Sequence, residues 1–263
     1  MTVTVPVARA RPRTVRIREG RKGRAKVDVL GPPAGARTQA GVAASVRRIL
    51  NLEEDLSPLY EVAAGDPGLA WIVFGAGRMA RGATVFEDVV KTICTTNCTW
   101  SATERMVGAL VANLGELSAG GHGRAFPTPA AMAAAPERFY REVARAGYRG
   151  AYLRQLAASV AGGELDLEAL ATASPDDLPD DDLAKLLLGL PGVGPYATAH
   201  IMMLIGRHSR LILDSWTRPK YAQVNGRKAG DRQIERRFRR YGPYAGLAFW
   251  LYLTRDWVEE SRG

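Results

Sequence analysis

The chain is poor in cysteine and histidine, with two and three residues among 263. Cys94 and Cys98 cannot build a four-ligand metal or iron–sulfur site, and a four-residue separation on a helical stretch suits packing instead. No apolar run approaches the roughly 18 residues of a membrane span. The N-terminus lacks the apolar core of a secretory signal. Its arginine-rich, acid-poor start imitates a transit peptide, yet it is poor in serine and alternates as strands do, so cytoplasm is the expectation. There is no internal repeat and no low-complexity tract. Acidic residues are the scarcer charge, 27 against 36 Lys and Arg, which leaves +9 and a pI near 9.8. Such a balance is the footprint of a nucleic-acid binder.

The positive charge is unevenly placed. Residues 1–48 hold twelve Arg or Lys against Glu19 and Asp28, and from Arg207 to Arg240 there are eleven against Asp214, Asp231 and Glu235. Residues 164–182 are acidic instead. The two rich segments form a basic face if they lie together; otherwise the chain simply has an arginine-heavy surface. Thr2 to Val7, Thr14 to Arg18 and Lys26 to Leu30 alternate apolar and polar residues between proline and glycine breaks, which predicts a small antiparallel sheet. Val42 to Leu50 predicts a helix, with a second short one around Pro58 to Ala63. From residue 84 helices dominate: Val85 to Thr95, Ser101 to Leu114, Ala130 to Ala133, Glu137 to Arg145, Ala151 to Ala161 and Leu167 to Ala171. Arg218 to Val224, Asp231 to Tyr241 and Tyr244 to Trp257 complete the set.

Residues 186–221 are the most informative stretch. Asp180, Asp181 and Asp182 open a helix with apolar positions Leu183, Leu186, Leu187 and Leu190, and early acids suit its positive N-terminal end. Pro191 and Gly192 predict its end, and Pro195 predicts the first turn of a second helix through Ile205. Between them Gly192, Val193 and Gly194 carry little side-chain bulk at a helix N-terminus, where amide N–H groups can meet a phosphate closely. A plain helix–helix turn with two glycines is the bland alternative. Downstream, Asp214 leaves the apolar stretch Leu211-Ile212-Leu213 and precedes Ser215, Trp216, Thr217 and Arg218. It reads equally as a cap of the next helix and as a carboxylate placed for chemistry.

Leu190-Pro191-Gly192-Val193-Gly194 followed by Asp214 resembles the helix–hairpin–helix DNA glycosylase superfamily, with its hairpin and downstream aspartate. Residues 86–97, ending Thr95-Thr96-Asn97, resemble the family's first core helix, and Gly242-Pro243-Tyr244-Ala245-Gly246 resembles the C-terminal helix start of its 8-oxoguanine branch. The three motifs span about 85–257 in the family's order. The resemblance implies a mostly α fold, the helix–hairpin–helix DNA glycosylase fold with a small N-terminal antiparallel β part (α+β). It implies a β-rich part over 1–80 with short helices, and a two-part helical body over 81–263 that contains the hairpin 189–195, with the cleft between the helical halves.

It also implies an activity: base excision repair on double-stranded damaged DNA, by a monomer with no membrane association, in the nucleoid-associated cytoplasm. No metal and no iron–sulfur cluster are implied, and at most a monovalent cation would sit on hairpin carbonyls. Asp214 would be catalytic, stabilising the cation-like deoxyribose C1′ and orienting water. Asn97 would fill the gap left by the flipped nucleotide, although a plain C-cap residue reads the same way. Gly192, Val193, Gly194, Thr217 and Arg218 would hold the DNA. The bifunctional lysine position carries Tyr196, which implies hydrolysis without an amine adduct. Tyr196, His200 one turn on, and Phe249 at the place of the purine-reading glutamine would form a base pocket, and aromatic walls favour cationic alkylated purines. His200 reads equally as a core histidine. Two alternatives stay open, an oxidised-purine (8-oxoguanine-type) glycosylase and a non-catalytic lesion-binding protein.

Overall fold

A computed structural model describes residues 1–21 and 23–260, with side chains placed through Trp257. It opens with β1 (Thr2–Val7), β2 (Ala10–Glu19) and β3 (Ala25–Val29), followed by α1 (Ala36–Ile49) and α2 (Ser57–Ala63). The middle of the chain holds α3 (Val85–Thr95), α4 (Trp100–Leu114), α5 (Pro129–Ala134), α6 (Arg149–Ala161) and α7 (Leu167–Thr172). Then come α8 (Asp180–Leu188), α9 (Pro195–Leu204), α10 (Thr217–Asn225), α11 (Asp231–Phe238), α12 (Ala245–Leu253) and α13 (Arg255–Glu260).

These elements form two compact units, Met1–Leu50 with Arg81–Ala169, and Asn51–Ala80 with Leu170–Gly263. In the first, the strands make a β1-β2-β3 antiparallel meander with Thr2 opposite Arg16 and Val15 opposite Val29. Alternation turns Val5, Val7, Val15 and Ile17 to one face, where Val42, Val46 and Ile49 of α1 cover them. The helix α3 is the buried axis of this unit. Thr84 accepts from the Glu87 amide at its start, while Glu168 of α7 accepts from the Val85 amide at 2.7 Å. Asp88 accepts from the Gly82 amide at 2.6 Å and pairs with Arg48 at 2.7 Å, yet burial still pushes its carboxyl up to about 6.

The second unit is built around α12, whose Leu247, Ala248, Phe249 and Leu253 are fully buried. Leu56, Leu59, Ala63, Leu69 and Ile72 join this same core. Residues 51–80 therefore belong with the C-terminal helices, and the stretch expected as one N-terminal part is shared between the units. Their apolar side chains find the large core of α12, which the short strands do not supply.

The three expected strands and the α3 span agree with the structure, while α1 starts at Ala36 rather than Val42 and five further local readings differ. The helix expected over 137–145 is a single wide turn, Phe139–Val143. A short 3₁₀ turn, Ala70–Phe74, falls where no element was expected and is anchored by buried Ile72. The helix α8 stops at Leu188 on Gly189, ahead of the Pro191-Gly192 signal. The helix expected through Tyr241 ends at Phe238 and continues as a 3₁₀ turn. There Gly242 takes φ 53°, ψ −123°, a glycine conformation that Pro243 then fixes as a kink. The long C-terminal helix breaks at Thr254 into α12 and α13.

Candidate active site and nucleic-acid surface

Residues 189–194 join α8 to α9. The turn is held by the Leu190 amide on the Leu187 carbonyl at 3.0 Å and the Val193 amide on the Leu190 carbonyl at 3.2 Å. Gly192 takes φ 77°, which favours glycine, and Val193 is buried as the anchor of the loop. Gly192 and Gly194 on either side of Val193 are half-buried. The amides of Gly192 and Gly194 donate to no group among the described residues. A Cβ built on Gly194 would meet open space. The turn thus leaves two unbonded amides just ahead of α9.

Asp214 stands at the entry of α10, half-buried. Its Oδ1 accepts from the Trp216 amide at 2.9 Å and the Thr217 amide at 2.6 Å, while its own amide donates to Thr217 Oγ1 at 2.8 Å. It caps the helix with one oxygen, and its Oδ2 has no hydrogen bond among the described residues. The reciprocal bond corrects the expectation for Thr217, which is fully buried and spends its hydroxyl on Asp214, so it offers nothing to DNA. Arg218 is exposed but grips Asp231 through two bonds of 2.8 and 2.9 Å. Lys220 pairs with Asp256.

Aromatic rings gather near the carboxylate. Tyr196 and His200 lie one turn apart on the half-buried face of α9, 5.6 Å between ring centres, and His200 meets Trp250 edge-on at 6.2 Å. Trp250 contacts Trp216 at 5.7 Å, and Trp216 contacts Trp257 at 5.6 Å. Burial lowers the His200 pKa below the ordinary histidine range, against the opposing pull of the Asp214 charge, and Nδ1 is sealed without a partner. Phe249 is a correction. It is fully buried between Phe238 at 5.3 Å and Tyr221 at 6.2 Å, so it packs the core and lines no site. Its neighbour Trp250 holds the half-exposed place.

In the first unit Asn97 follows α3 in an exposed turn with φ 46° and donates to the Tyr148 hydroxyl at 3.2 Å. Tyr148 went unnoticed in the sequence because a separation of 51 positions hides the contact. Arg149 lies beneath, buried at 6% exposure, stacked 4.6 Å from the Tyr148 ring and bonded to Thr96.

No protein-family model and no curated protein matches the sequence. Solved structures do. The 3-methyladenine DNA-glycosylase from Archaeoglobus fulgidus superposes with a TM-score of 0.73 at 19% identity, covering 98% of this chain and 87% of that one. The 8-oxoguanine glycosylase/lyase of Clostridium acetobutylicum, in its apo form, gives 0.71 at 20%, covering 95% and 88%. MBOgg1 in complex with a low affinity DNA ligand gives 0.73 at 21%, covering 98% and 86%. This chain has the helix–hairpin–helix DNA glycosylase fold. At such identity the likeness is one of fold.

Within that glycosylase fold, a groove of about 480 Å³ in the second unit is lined by Tyr196, Thr198, Lys185, Arg210 and Arg218 among others. Each of these cations is paired, Lys185 with Asp182, Arg210 with Asp181 and Arg218 with Asp231. Each therefore already shares its charge with a carboxylate. Among the described residues no group of three or more His, Cys, Asp or Glu could hold a metal, and no helix is long and apolar enough to cross a membrane. Cys94 and Cys98 are free thiols, and burial pushes Cys94 up to about 12.

Proposed function

We propose that the protein is a DNA N-glycosylase of base excision repair that hydrolyses the bond joining an alkylated purine to deoxyribose C1′, without an amine-linked intermediate. The observation that carries this reading is the fixed Asp214 carboxylate, capped through one oxygen and open at the other, beside an aromatic wall. As the base departs, C1′ gains positive charge, and a preorganised carboxylate next to it stabilises that charge and orients the attacking water. The open amides of Gly192 and Gly194 hold the backbone in register without reading sequence. Asn97, with Tyr148 behind it, enters the gap left by the flipped nucleotide. Tyr196, His200, Trp250 and Trp216 offer ring faces to an electron-poor base. With Phe249 in the core, no group at that position reads a purine edge, which disfavours the oxidised-purine alternative.

Duplexes carrying alkylated, oxidised or deaminated bases test this directly. Free alkylated purine is expected with no borohydride-trapped adduct. A trapped adduct on an oxidised duplex would overturn hydrolysis, and release of oxidised bases alone would overturn the substrate class.

A second expectation concerns pH. Alkylated purines carry positive charge, so a protonated His200 would repel them. Because burial lowers its pKa, His200 stays neutral through the ordinary histidine range and charges only below it. Release of a cationic base should hold across that range and fall at lower pH. His200→Phe, which keeps a ring and removes the titration, should flatten that limb; an unchanged profile in the variant would assign it to another group.

A further inference from the structure

In the turn between α3 and α4, the polar side chains spend their hydrogen bonds internally. The Thr95 hydroxyl donates to the Thr92 carbonyl at 2.7 Å, and the Thr96 hydroxyl donates to the Ile93 carbonyl at 2.8 Å. Cys98 Sγ donates to the Cys94 carbonyl at 3.1 Å, and Thr99 caps α4 through the Ala102 amide at 3.3 Å while meeting the Ser101 hydroxyl at 3.1 Å. Asn97 has committed its amide to Tyr148. Arg149, the nearest guanidinium to Tyr148, is buried and bonded to both the hydroxyl and the carbonyl of Thr96. Large aromatic surface faces outward beside these polar groups. Trp100, the first residue of α4, is 70% exposed, Tyr148 54% and Tyr152 38%, the last two edge-on at 6.0 Å. Exposed Arg105 on α4, Arg154 on α6 and Arg145 before it supply positive charge on this unit.

A large exposed indole with no packing role has a fitting partner in a flat, electron-rich ring system on a polyanion. Every nucleobase presents such a face. We propose that Trp100 stacks on the unpaired base opposite the flipped nucleotide, and that this protein therefore accepts any base in that position. The proposal rests on the glycosylase reading, in which Asn97 enters the gap. A stacked ring has no donor or acceptor pattern to select among bases.

The test uses the full chain and a duplex with 2-aminopurine opposite a stable abasic-site analogue. Wild type should bind and change the 2-aminopurine emission. Trp100→Ala should bind roughly tenfold or more weaker and lose that change, while Trp100→Phe keeps both, since base–aromatic stacking is worth about tenfold per base. Thermal unfolding of Trp100→Ala should match wild type, as an exposed ring braces nothing. In single-turnover release, the four opposite bases should differ by no more than about threefold, because stacking is sequence-tolerant. Unchanged binding and emission in Trp100→Ala, or a strong wild-type preference for one opposite base, would overturn the proposal. Binding with the emission change but no base release from any lesion would sink the glycosylase reading and leave the stacking intact. Failure of wild type to bind would sink both.

Discussion

Asp214→Asn is expected to lower single-turnover base release by about 10²–10³-fold, the cost of removing one preorganised electrostatic stabiliser. The substitution isolates charge from structure. Asp214 Oδ1 takes the Trp216 and Thr217 amides, and an asparagine side-chain oxygen can take the same two bonds. The cap, the start of α10 and the reciprocal Thr217 bond all persist. What disappears is the negative charge beside the developing cation at C1′. Binding to abasic-site DNA should therefore match wild type or exceed it, because a neutral side chain repels the phosphates less. Asp214→Ala is the contrast: it loses charge and cap together and should lower stability by about 1 kcal/mol as well. Wild-type release rates in Asp214→Asn would take this residue out of the mechanism, whatever its position.

Gly246→Ala should be the most damaging single methyl in the second unit. A Cβ there would lie 2.0 Å from the Arg210 carbonyl oxygen, 2.7 Å from its carbon and 2.9 Å from the His208 carbonyl oxygen. All three are backbone atoms, so no rotamer change relieves them. The Gly246 amide donates to that His208 carbonyl at 2.7 Å, and the His208 ring stacks on Tyr244 while bonding Glu54. The start of α12 is thus clamped to the segment that runs on to Asp214. Pushing them apart should cost about 3 kcal/mol or more, at the upper end of overpacking penalties. That corresponds to a fall in Tm on the order of 6–12 °C for a chain of this size. The converse holds at Gly194, where a Cβ meets nothing inside the protein. Gly194→Ala should leave Tm nearly unchanged and weaken DNA binding, since its methyl stands where a phosphate would approach the open amides. A Gly246→Ala protein that melts with wild type would refute the clamp.

Much of the fold was legible along the chain because its elements carry strong local signals. Alternation marked the three strands, the apolar pattern marked α3 from Val85 to Thr95, and the glycine–proline punctuation marked the hairpin. The Asp214 segment was legible too, as a polar break after an apolar run. Other features were silent. Tyr148 meets Asn97 only through a long-range contact, and no periodicity announces it. Thr217 looked like a polar residue beside the site, yet the bond that makes Asp214 a cap also buries it.

The sequence by itself determined several local pieces: the three strands, the span of α3, the bare backbone between α8 and α9, and the carboxylate that follows it. Only the tertiary structure decided which aromatic rings face the site. The helix α12 is apolar on every side, so its sequence carries no amphipathic signal to separate Phe249, sealed in the core, from Trp250 beside it. The packing partners Phe238 and Tyr221, brought from α11 and α10, make that choice. They draw residues 51–80 into the same core for the same reason: burial depends on what folds alongside, and a linear pattern does not record it.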